Sequence, residues 1–302
     1  MAVSLRRARY EDIYGVAEVY KRSILDIYQR HGFADPQIIP SGTNPFYAFA
    51  LREEPDGFFI AEDGGRVVGA AFSWARGTSW FLSHLFILPE YQGQGIGKGL
   101  LKRTLEYCTK AGATHRAVIT MAFNPASIAI YLKNGMYPIE NIYLMRASNI
   151  STGEDIERND AVSYERIEPD SWRSGDLSHI DVEVLGMSRM RHHQYFLQDR
   201  DAPCYLFRQS GQVVAYGYLW PDGRIGPVAA LNEARYDTIL KTIIGLARKS
   251  CPILTMMVPG SNRVAMEAAT THGFSIILPY LILSSQPFGT WDRYLFHSPG
   301  MM

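Results

Sequence analysis

The sequence has no excess of charge of either sign, because 30 Lys and Arg residues balance 30 Asp and Glu residues in a chain of 302. A protein that binds nucleic acid or an acidic membrane surface usually carries a basic excess, so we expect neither kind of partner. Cysteine is scarce as well. Cys108, Cys204 and Cys251 are scattered at spacings that fit neither a metal site nor a disulfide framework, which favours a reducing, cytoplasmic location.

Long hydrophobic runs are also missing. No apolar segment approaches the roughly 20 residues that a membrane-spanning helix needs, and the stretch "MAVSLRRARYEDIYG" lacks the apolar centre of a secretion signal. What the sequence does contain is 47% apolar and 20% charged residues, a balance typical of globular proteins. A chain of this length exceeds what one hydrophobic core usually supports and suits two.

Two pairs of segments indicate an internal repeat. "GFFIAEDGGRVVGAAFSW" (Gly57–Trp74) and "PCYLFRQSGQVVAYGYLW" (Pro203–Trp220) each predict a strand, a tight turn and a second strand that ends at Trp. "NPASIAIYLKNGM" (Asn124–Met136) and "NRVAMEAATTHGF" (Asn262–Phe274) each predict a helix between an Asn N-cap and a Gly C-cap. The chain therefore reads as two copies of one unit, with residues 1–147 and 161–302 as domains and the polar segment 148–160 as their linker.

Hydrophobic periodicity gives each copy an α+β fold, with helices packed on a mostly antiparallel sheet. In the first copy we expect a proline-rich irregular stretch up to residue 45. The other expected elements are a strand near 5–7, a helix over 11–30, strands at 57–62, 66–75 and 79–88, a helix over 98–111, a strand at 116–123, a helix over 125–134 and a strand near 141–147.

The segment "PEYQGQGIGKGLL" (Pro89–Leu101) places four glycines between a strand and an apolar helix pattern. Glycine disfavours a helix by roughly 1 kcal/mol per interior position, so their presence at a helix start needs a reason. A helix start offers unpaired N–H groups and a positive dipole end, and glycines allow an anion to approach them. The phosphate-loop pattern GxxxxGK[ST] is absent, and the spacing also differs from the dinucleotide fingerprint.

The segment "LFILPEYQGQGIGKGLL" resembles the acyl-CoA pyrophosphate loop of the GNAT N-acetyltransferase superfamily, whose signature is Gln/Arg-x-x-Gly-x-Gly/Ala after a strand. "NPASIAIYLKNGM" resembles the second landmark of that family, an Asn followed seven positions later by a Tyr. The resemblance covers residues 1–147 strongly and residues 161–302 weakly. It implies two tandem GNAT-like domains, each a mixed, mostly antiparallel sheet flanked by helices, and acetyl-CoA as the acyl donor with no metal.

The resemblance also implies roles for individual residues. The backbone near Phe86 and Ile87 is expected to pair with the pantetheine arm of the cofactor, and Asn124 to hydrogen-bond that arm, although a plain N-cap role is compatible. Tyr131 is expected to act as the general acid that protonates the leaving thiolate. Lys98, Lys102 and Lys133 could meet the 3′-phosphate, unless they are ordinary solvated lysines. The loop residues implied in pyrophosphate binding are Gln92, Gly93, Gln94, Gly95, Ile96, Gly97 and Lys98.

A general base is harder to assign. Two positions that commonly hold it in this family are Phe81 and Ile119 here, and neither can accept a proton. His84 is the main candidate and Glu62 a second, but strand alternation puts His84 on the opposite face from Phe81 unless a β-bulge intervenes. A structural role for His84 is the alternative, and an amine of low pKa needs no protein base.

The adjacent pair His192 and His193 has no carboxylate or cysteine at ligand spacing, so no metal site is expected. Neighbouring residues on a helix point in different directions, and we expect this pair to be exposed to solvent on a surface helix.

These observations predict an N-acetyltransferase that transfers the acetyl group of acetyl-CoA by direct attack of an amine, with the balanced charge favouring a small-molecule acceptor. The alternatives are a non-catalytic acyl-CoA-binding sensor and an assembly role. Aromatic residues over 14–47 indicate a partly apolar acceptor region, although core packing explains most of them. The sequence leaves the oligomeric state open.

The second copy is expected to keep the fold without the cofactor. Its corresponding segment "RIGPVAALNEARYDTILKTIIGLARK" (Arg224–Lys249) lacks the glycine pattern and adds Glu233, whose charge would repel phosphate. The position that matches Tyr131 is Ala269. An apolar stripe that begins at Tyr236 survives, so we expect a packed domain that supports the first one, and one CoA per chain.

Overall fold

The computed structural model describes residues 3–33, 45–148, 162–167, 174–200 and 202–302. The described residues form two compact units. The first lies within 1–119, 123–137 and 284–286, and the second within 120–122, 138–283 and 287–302. The predicted linker falls almost wholly outside the described residues. No helix in the described ranges is both long and apolar enough to cross a membrane.

The described part of the first unit comprises five strands and four helices. Its strands follow the order β1-β2-β3-β4-β5, in which only β4 and β5 run parallel. The elements are β1 (Ser4–Arg7), α1 (Ile13–Arg30), α2 (Pro45–Glu53), β2 (Phe58–Asp63), β3 (Arg66–Arg76), β4 (Ser79–Ile87), α3 (Ile96–Lys110), β5 (His115–Met121, whose last two residues join the second unit) and α4 (Pro125–Lys133).

Helix α2 was not foreseen, because Pro45 and the prolines before it suggested an irregular stretch. Proline is well tolerated in the first turn of a helix, where its missing N–H has no acceptor in any case. Phe46, Tyr47 and Phe49 follow it at almost complete burial. Burial of these aromatic side chains stabilises a helix of only nine residues, which is too short to be stable alone.

Strand β4 contains a β-bulge. Leu82 pairs with Ser73 of β3 and His84 pairs with the adjacent Phe72, so Ser83 is an extra residue. The bulge shifts the alternation of side chains by one, and His84 consequently lies on the same face of the sheet as Phe81. A bulge of this kind was required for His84 to lie on the face of Phe81 and to be a candidate base.

The second unit repeats the arrangement. Its strands follow the order β12-β6-β11-β10-β9-β8-β7, and β10 also pairs with β13. Within this sheet β10 and β11 run parallel, as β4 and β5 do in the first unit. The elements are β6 (Tyr137–Ser148), β7 (Ser163–Ile167), α5 (Ser174–Leu185), α6 (Met190–Gln194), β8 (Cys204–Gln209), β9 (Gln212–Leu219), β10 (Arg224–Ala230), α7 (Tyr236–Arg248), β11 (Ile253–Pro259), α8 (Arg263–Thr271), β12 (Ser275–Ser284) and β13 (Tyr294–Leu295).

The final strand of the first repeat, β6, lies almost entirely in the second unit. It pairs antiparallel with β11 from Ile142 opposite Pro259 to Ser148 opposite Ile253. The predicted first domain extended to residue 147, whereas the chain passes from the first compact unit into the second after Tyr137. An extended ladder of backbone hydrogen bonds with β11 accounts for this placement.

The apolar stripe of α7 lies in the core of the second unit, as predicted. Tyr236, Ile239, Leu240 and Ile243 are at most 1% exposed and belong to one hydrophobic cluster. Ala269, the counterpart of Tyr131, is fully buried in the same cluster. The second copy therefore keeps its packing although it has lost the glycine pattern.

The expectation for His192 and His193 was wrong, because both side chains are buried. The Nε2 atom of His193 lies 2.8 Å from a carboxylate oxygen of Asp181 on α5, and its Nδ1 atom lies 2.9 Å from the hydroxyl of Tyr218. Arg189 donates to the same carboxylate at 3.1 and 3.2 Å. Asp181 and Tyr218 are 12 and 25 residues away from His193, so the local pattern of the chain could not reveal that the pair is buried. The described residues hold no cluster of His, Cys, Asp and Glu side chains suited to a metal ion.

Candidate functional site

Beyond the bulge, one side of β4 has no partner strand among the described residues. The parallel pairing with β5 runs from Ser79 opposite His115 to Leu82 opposite Val118 and stops there. The pairing with β3 continues to Ile87 opposite Gly69, and the N–H of Leu88 donates to Val68 at 2.9 Å. Among the described residues, the end of β4 therefore has a neighbouring strand on the β3 side only.

The hydrogen-bond alternation tells which backbone groups face the open side. Because Leu88 and Val68 are a hydrogen-bonded pair, Phe86 bonds to β3 as well, whereas Leu85 and Ile87 point their amide groups away from it. The carbonyl of Ile87 already accepts hydrogen bonds from Ser23 Oγ at 2.9 Å and Gln92 Nε2 at 3.0 Å. The backbone groups that face the open side of β4 therefore belong to Leu85 and Ile87, whereas the prediction named Phe86 and Ile87.

The glycine-rich turn follows this edge and leads into α3. Gly93 and Gly95 have φ angles of +79° and +83°, a left-handed conformation that other residues rarely adopt. No atom of the described residues lies within 4 Å of where their Cβ atoms would be. The Gln94 side chain donates to the Glu90 carbonyl at 3.1 Å. The hydrogen bond from Gln94 therefore fixes the turn on the side of Glu90, and the two glycines leave room next to the backbone.

The N-terminus of α3 has no cap from a side chain. Gly95 occupies the N-cap position, and the first intrahelical hydrogen bond runs from Gly99 N–H to the Gly95 carbonyl at 3.1 Å. The N–H groups of Ile96, Gly97 and Lys98 consequently have no acceptor within the helix. Together with the helix dipole, they form a site suited to a phosphate group.

The remaining two glycines have different surroundings. A Cβ on Gly99 would lie 2.8 Å from the Leu5 side chain, so packing against β1 explains this glycine. A Cβ on Gly97 would lie 3.7 Å from Ile87, which is an ordinary contact. The fold gives no reason for glycine at position 97.

Asn124 caps α4, which starts at Pro125. Its side-chain oxygen accepts from the Ser127 N–H at 3.2 Å, and its Nδ2 atom donates to Ser127 Oγ at 2.7 Å. The N-cap role considered for Asn124 is therefore present, and an Asn amide has one further N–H for another acceptor.

Tyr131 lies on α4 and is 4% exposed. Burial raises the pKa of its phenol above the ordinary value of 10. Within the described part of the chain its hydroxyl has no hydrogen-bond partner. Tyr131 therefore stays protonated at neutral pH and keeps a donor free for an incoming acceptor.

His84 packs among aromatic rings. The ring centroids of Phe46, Tyr20 and Tyr47 lie 4.9, 5.6 and 5.6 Å from that of His84, and its Nδ1 atom lies 2.7 Å from Ser83 Oγ. Burial lowers the pKa of His84 to about 3. The imidazole is therefore neutral at pH 7 but only weakly basic.

Glu62 is engaged elsewhere. Its carboxylate pairs with the guanidinium of Arg6, which also binds Asp12 at 2.7 and 2.8 Å. These contacts tie β2 to β1 and to the start of α1. They leave Glu62 in a structural ion pair.

His31, at the end of α1, was missed by the sequence reasoning. Its ring centroid lies 5.1 Å from that of Phe123, and the ring of Phe33 lies 4.5 Å from Phe123. Phe123 directly precedes the N-cap Asn124. His31 is exposed, and its imidazole has no hydrogen-bond partner among the residues described. No motif marks it, because only the packing of α1 brings it to the start of α4.

Comparison with known proteins shows what this part of the chain is similar to. Residues 17–136 match the model of the Acetyltransferase (GNAT) family. An uncharacterized N-acetyltransferase of Archaeoglobus fulgidus is 28% identical over 115 residues, which are 35% of this chain and 73% of that protein. Residues 17–136 are thus similar to the GNAT acetyltransferase family, and this match lies almost wholly in the first unit.

Solved structures extend the likeness to the whole chain. A Pyrococcus horikoshii protein superposes with a TM-score of 0.77 at 16% identity and covers 99% of this chain and 96% of its own. A tandem GNAT protein from the clavulanic acid biosynthesis pathway gives a TM-score of 0.64 at 14% identity, over 95% and 99% of the two chains. At these identities the likeness concerns the fold, which is that of two GNAT-like units in tandem.

Proposed function

We propose that the first unit binds acetyl-CoA and transfers its acetyl group to the amine of a small molecule. The observation that carries this proposal is the uncapped N-terminus of α3 behind Gly93 and Gly95, next to the open edge of β4. A phosphate fits the first feature and an extended amide chain the second. The balanced overall charge supports a small acceptor over one carried by a polyanion.

The residues fit acetyl-CoA in three places. The N–H groups of Ile96, Gly97 and Lys98 would hold the pyrophosphate, with the left-handed glycines leaving room for it. The outward amide groups of Leu85 would bond the pantetheine arm, and Asn124 would add its remaining N–H. Lys98 is exposed, as are Lys102 and Lys133, and these lysines could reach the 3′-phosphate.

The bound donor would supply the acetyl group and a thiolate leaving group. The task of this chain is to position the acceptor amine, take up its proton and donate one at the sulfur. We assign Tyr131 to the second role. Its buried phenol, which stays protonated and has no competing partner among the described residues, supports this assignment. His84 and His31 are the candidates for the first role.

The proposal is tested by binding and by turnover. Gly95→Glu puts a side chain and a negative charge where the pyrophosphate would lie, so calorimetry should detect acetyl-CoA binding to the wild type and not to the variant. Gly112→Glu is a matched control, because Gly112 also has a left-handed backbone (φ +73°) in open space but ends α3. Equal affinity of the wild type and Gly95→Glu would refute the site. A screen of amines that follows release of the CoA thiol would then identify the acceptor.

A further inference from the structure

The cleft of the second unit that corresponds to the open edge of β4 is filled by the chain itself. Strand β10 pairs in parallel with β11 only at Arg224 and Ile225, so the two strands diverge as β4 and β5 do. Beyond that point β13 pairs antiparallel with β10, with Leu295 opposite Val228 and Tyr294 opposite Ala229. Phe296 then pairs with Met257 of β11, and its N–H donates to the Met257 carbonyl at 3.1 Å.

The repeat shows which residues of the first unit correspond to this pairing. In the hairpin repeat Gly217 stands where Ala71 stands in the first copy. Ala71 pairs with Leu85 and Gly217 pairs with Val228, so Val228 is the counterpart of Leu85. Both lie one step beyond a β-bulge, and both direct their amide groups away from the neighbouring hairpin strand. Leu295 thus bonds the counterpart of the residue that faces the open side in the first unit.

A second contact is matched in the same way. Asn262 caps α8 as Asn124 caps α4, with its side-chain oxygen accepting from Ala265 N–H at 2.9 Å. Its Nδ2 atom donates to the backbone carbonyl of Tyr294 at 3.2 Å. The segment in the cleft therefore receives from Asn262 the hydrogen bond that the bound cofactor arm would receive from Asn124.

The segment is tightly held by further contacts. Tyr294, Leu295 and Phe296 are fully buried, and the guanidinium of Arg189 lies 5.3 Å from the Tyr294 ring. Gly226 in β10 has a φ angle of +135°, and a Cβ there would collide with the carbonyl oxygen of Phe296. A glycine at this position lets the backbone of the segment approach the strand.

We propose that Tyr294–Phe296 serves as a permanent internal ligand of the second unit and occupies the place that the acyl-donor arm takes in the first, so that the second unit is closed to acyl-CoA. The equivalence of the two places rests on the function proposed for the first unit. The pairing itself is a case of β-strand addition within one chain. The turn after β10 is also unsuited to a phosphate group. The side chain of Asn232 accepts a hydrogen bond from the Ala234 N–H at 2.8 Å, and Glu233 adds negative charge to the turn.

The binding arm of the test uses the full-length chain and CoA as the probe. Calorimetry should give one CoA per chain for the wild type and none for Gly95→Glu. Two CoA molecules per wild-type chain, of which Gly95→Glu loses only one, would overturn the proposal. One CoA in both the wild type and Gly95→Glu would instead refute the phosphate site of the first unit. If the wild type binds no CoA, the function proposed for the first unit fails, and the internal ligand is judged by the second arm alone.

The second arm is hydrogen exchange, which does not involve CoA. The amides of Leu295 and Phe296 should exchange only through global unfolding, because both pair inside the sheet. Gly226→Ala should lower the melting temperature further than Gly273→Ala, in which the residue also has positive φ (+77°) but a Cβ would meet no atom. Rapid exchange of both amides, as in an exposed loop, would overturn the proposal. So would equal melting temperatures of the two variants.

Discussion

Tyr131 owes its chemical state to its surroundings. Its pKa is raised by burial, so it stays neutral over the working range of pH and can donate a proton or a hydrogen bond to a developing thiolate. We predict that Tyr131→Phe lowers kcat by about 10²-fold or more and leaves the affinity for acetyl-CoA nearly unchanged. Steady-state kinetics and calorimetry check the two parts.

Tyr137→Phe provides the matched control for this variant, because Tyr137 is 60% exposed and lies outside the site. An unchanged kcat in Tyr131→Phe, with chemistry shown to limit the rate, would mean that another group or water donates the proton. A parallel loss of cofactor affinity would instead indicate a packing role for the ring.

The two histidines differ in a way that permits a direct comparison. His84 is a weak base among aromatic rings, because burial lowers its pKa to about 3. His31 is exposed beside Phe123. We therefore expect His31→Phe to lower kcat/KM by at least about tenfold, within the range of a general base, and His84→Phe to retain most of the activity. Phenylalanine keeps the ring contacts at both positions, so a loss in either variant reports on the imidazole nitrogens. The opposite order of effects would return the base role to His84.

The sequence could identify a residue where its role depends on its neighbours along the chain, and could not where the role depends on contacts with distant residues. Asn124 and Tyr131 stand in one short motif, and in the structure Asn124 is the N-cap of α4 and Tyr131 lies on that helix; their roles at the site stay predictions. The outward direction of Leu85 depends on the pairing of β4 with β3, which the composition of the strand does not reveal. The burial of His193 depends on Asp181 and Tyr218, both distant along the chain.

At the scale of elements, the start of α3 separates glycines needed for the fold from a glycine needed for the ligand. Gly97 has neither a left-handed backbone nor a close neighbour. Gly97→Ala should therefore leave the melting temperature unchanged or slightly raised, since alanine favours a helix. It should raise the Kd for acetyl-CoA about tenfold, which corresponds to about 1.4 kcal/mol.

Gly99→Ala is the comparison for this variant, because its Cβ would press on Leu5 at 2.8 Å. It should lower the melting temperature with little direct effect on binding. If Gly97→Ala binds acetyl-CoA as well as the wild type does, the glycine at 97 has no role in approach of the phosphate.

Elements with strong periodicity were predictable and elements fixed by tertiary packing were not. Helices α1 and α3 fall close to their predicted ranges, because each carries an apolar face several turns long. Helix α2 escaped prediction because its apolar residues follow proline and span only nine positions. The bulge at Ser83 could be stated only as a condition, since no residue type specifies it.

At the scale of the whole molecule, the internal repeat indicated two units but not which unit each strand joins. The repeat assigns β6 to the first copy by sequence, whereas its backbone pairs with β11. The described part of the first copy holds no counterpart of the segment that ends in Phe296, so the comparison of the two copies could not foresee it. Its position became evident only from the register of β13 with β10.

Buried histidines should make the stability of the chain sensitive to acid. Burial lowers the pKa values of His84, His115, His193 and His297 below the ordinary 6.5, so these side chains stay neutral in the folded state. In the unfolded chain they take up protons once the pH falls below about 6.5. The unfolded state then binds more protons than the folded state, and the free energy of unfolding decreases as the pH falls.

His84→Phe isolates one contribution to this effect, because phenylalanine can occupy the aromatic cluster without titrating. Between pH 6 and pH 4 each such histidine adds at most about 1.4 kcal/mol per pH unit to the slope of the unfolding free energy. Solvent that reaches the half-buried ring of His84 reduces this value. Urea unfolding at pH 8, where the histidines are neutral in both states, measures the packing effect of the substitution alone. The unfolding free energy of the wild type should fall more steeply than that of the variant between pH 6 and pH 4. Parallel curves would show that His84 is protonated in the folded chain as readily as in the unfolded one.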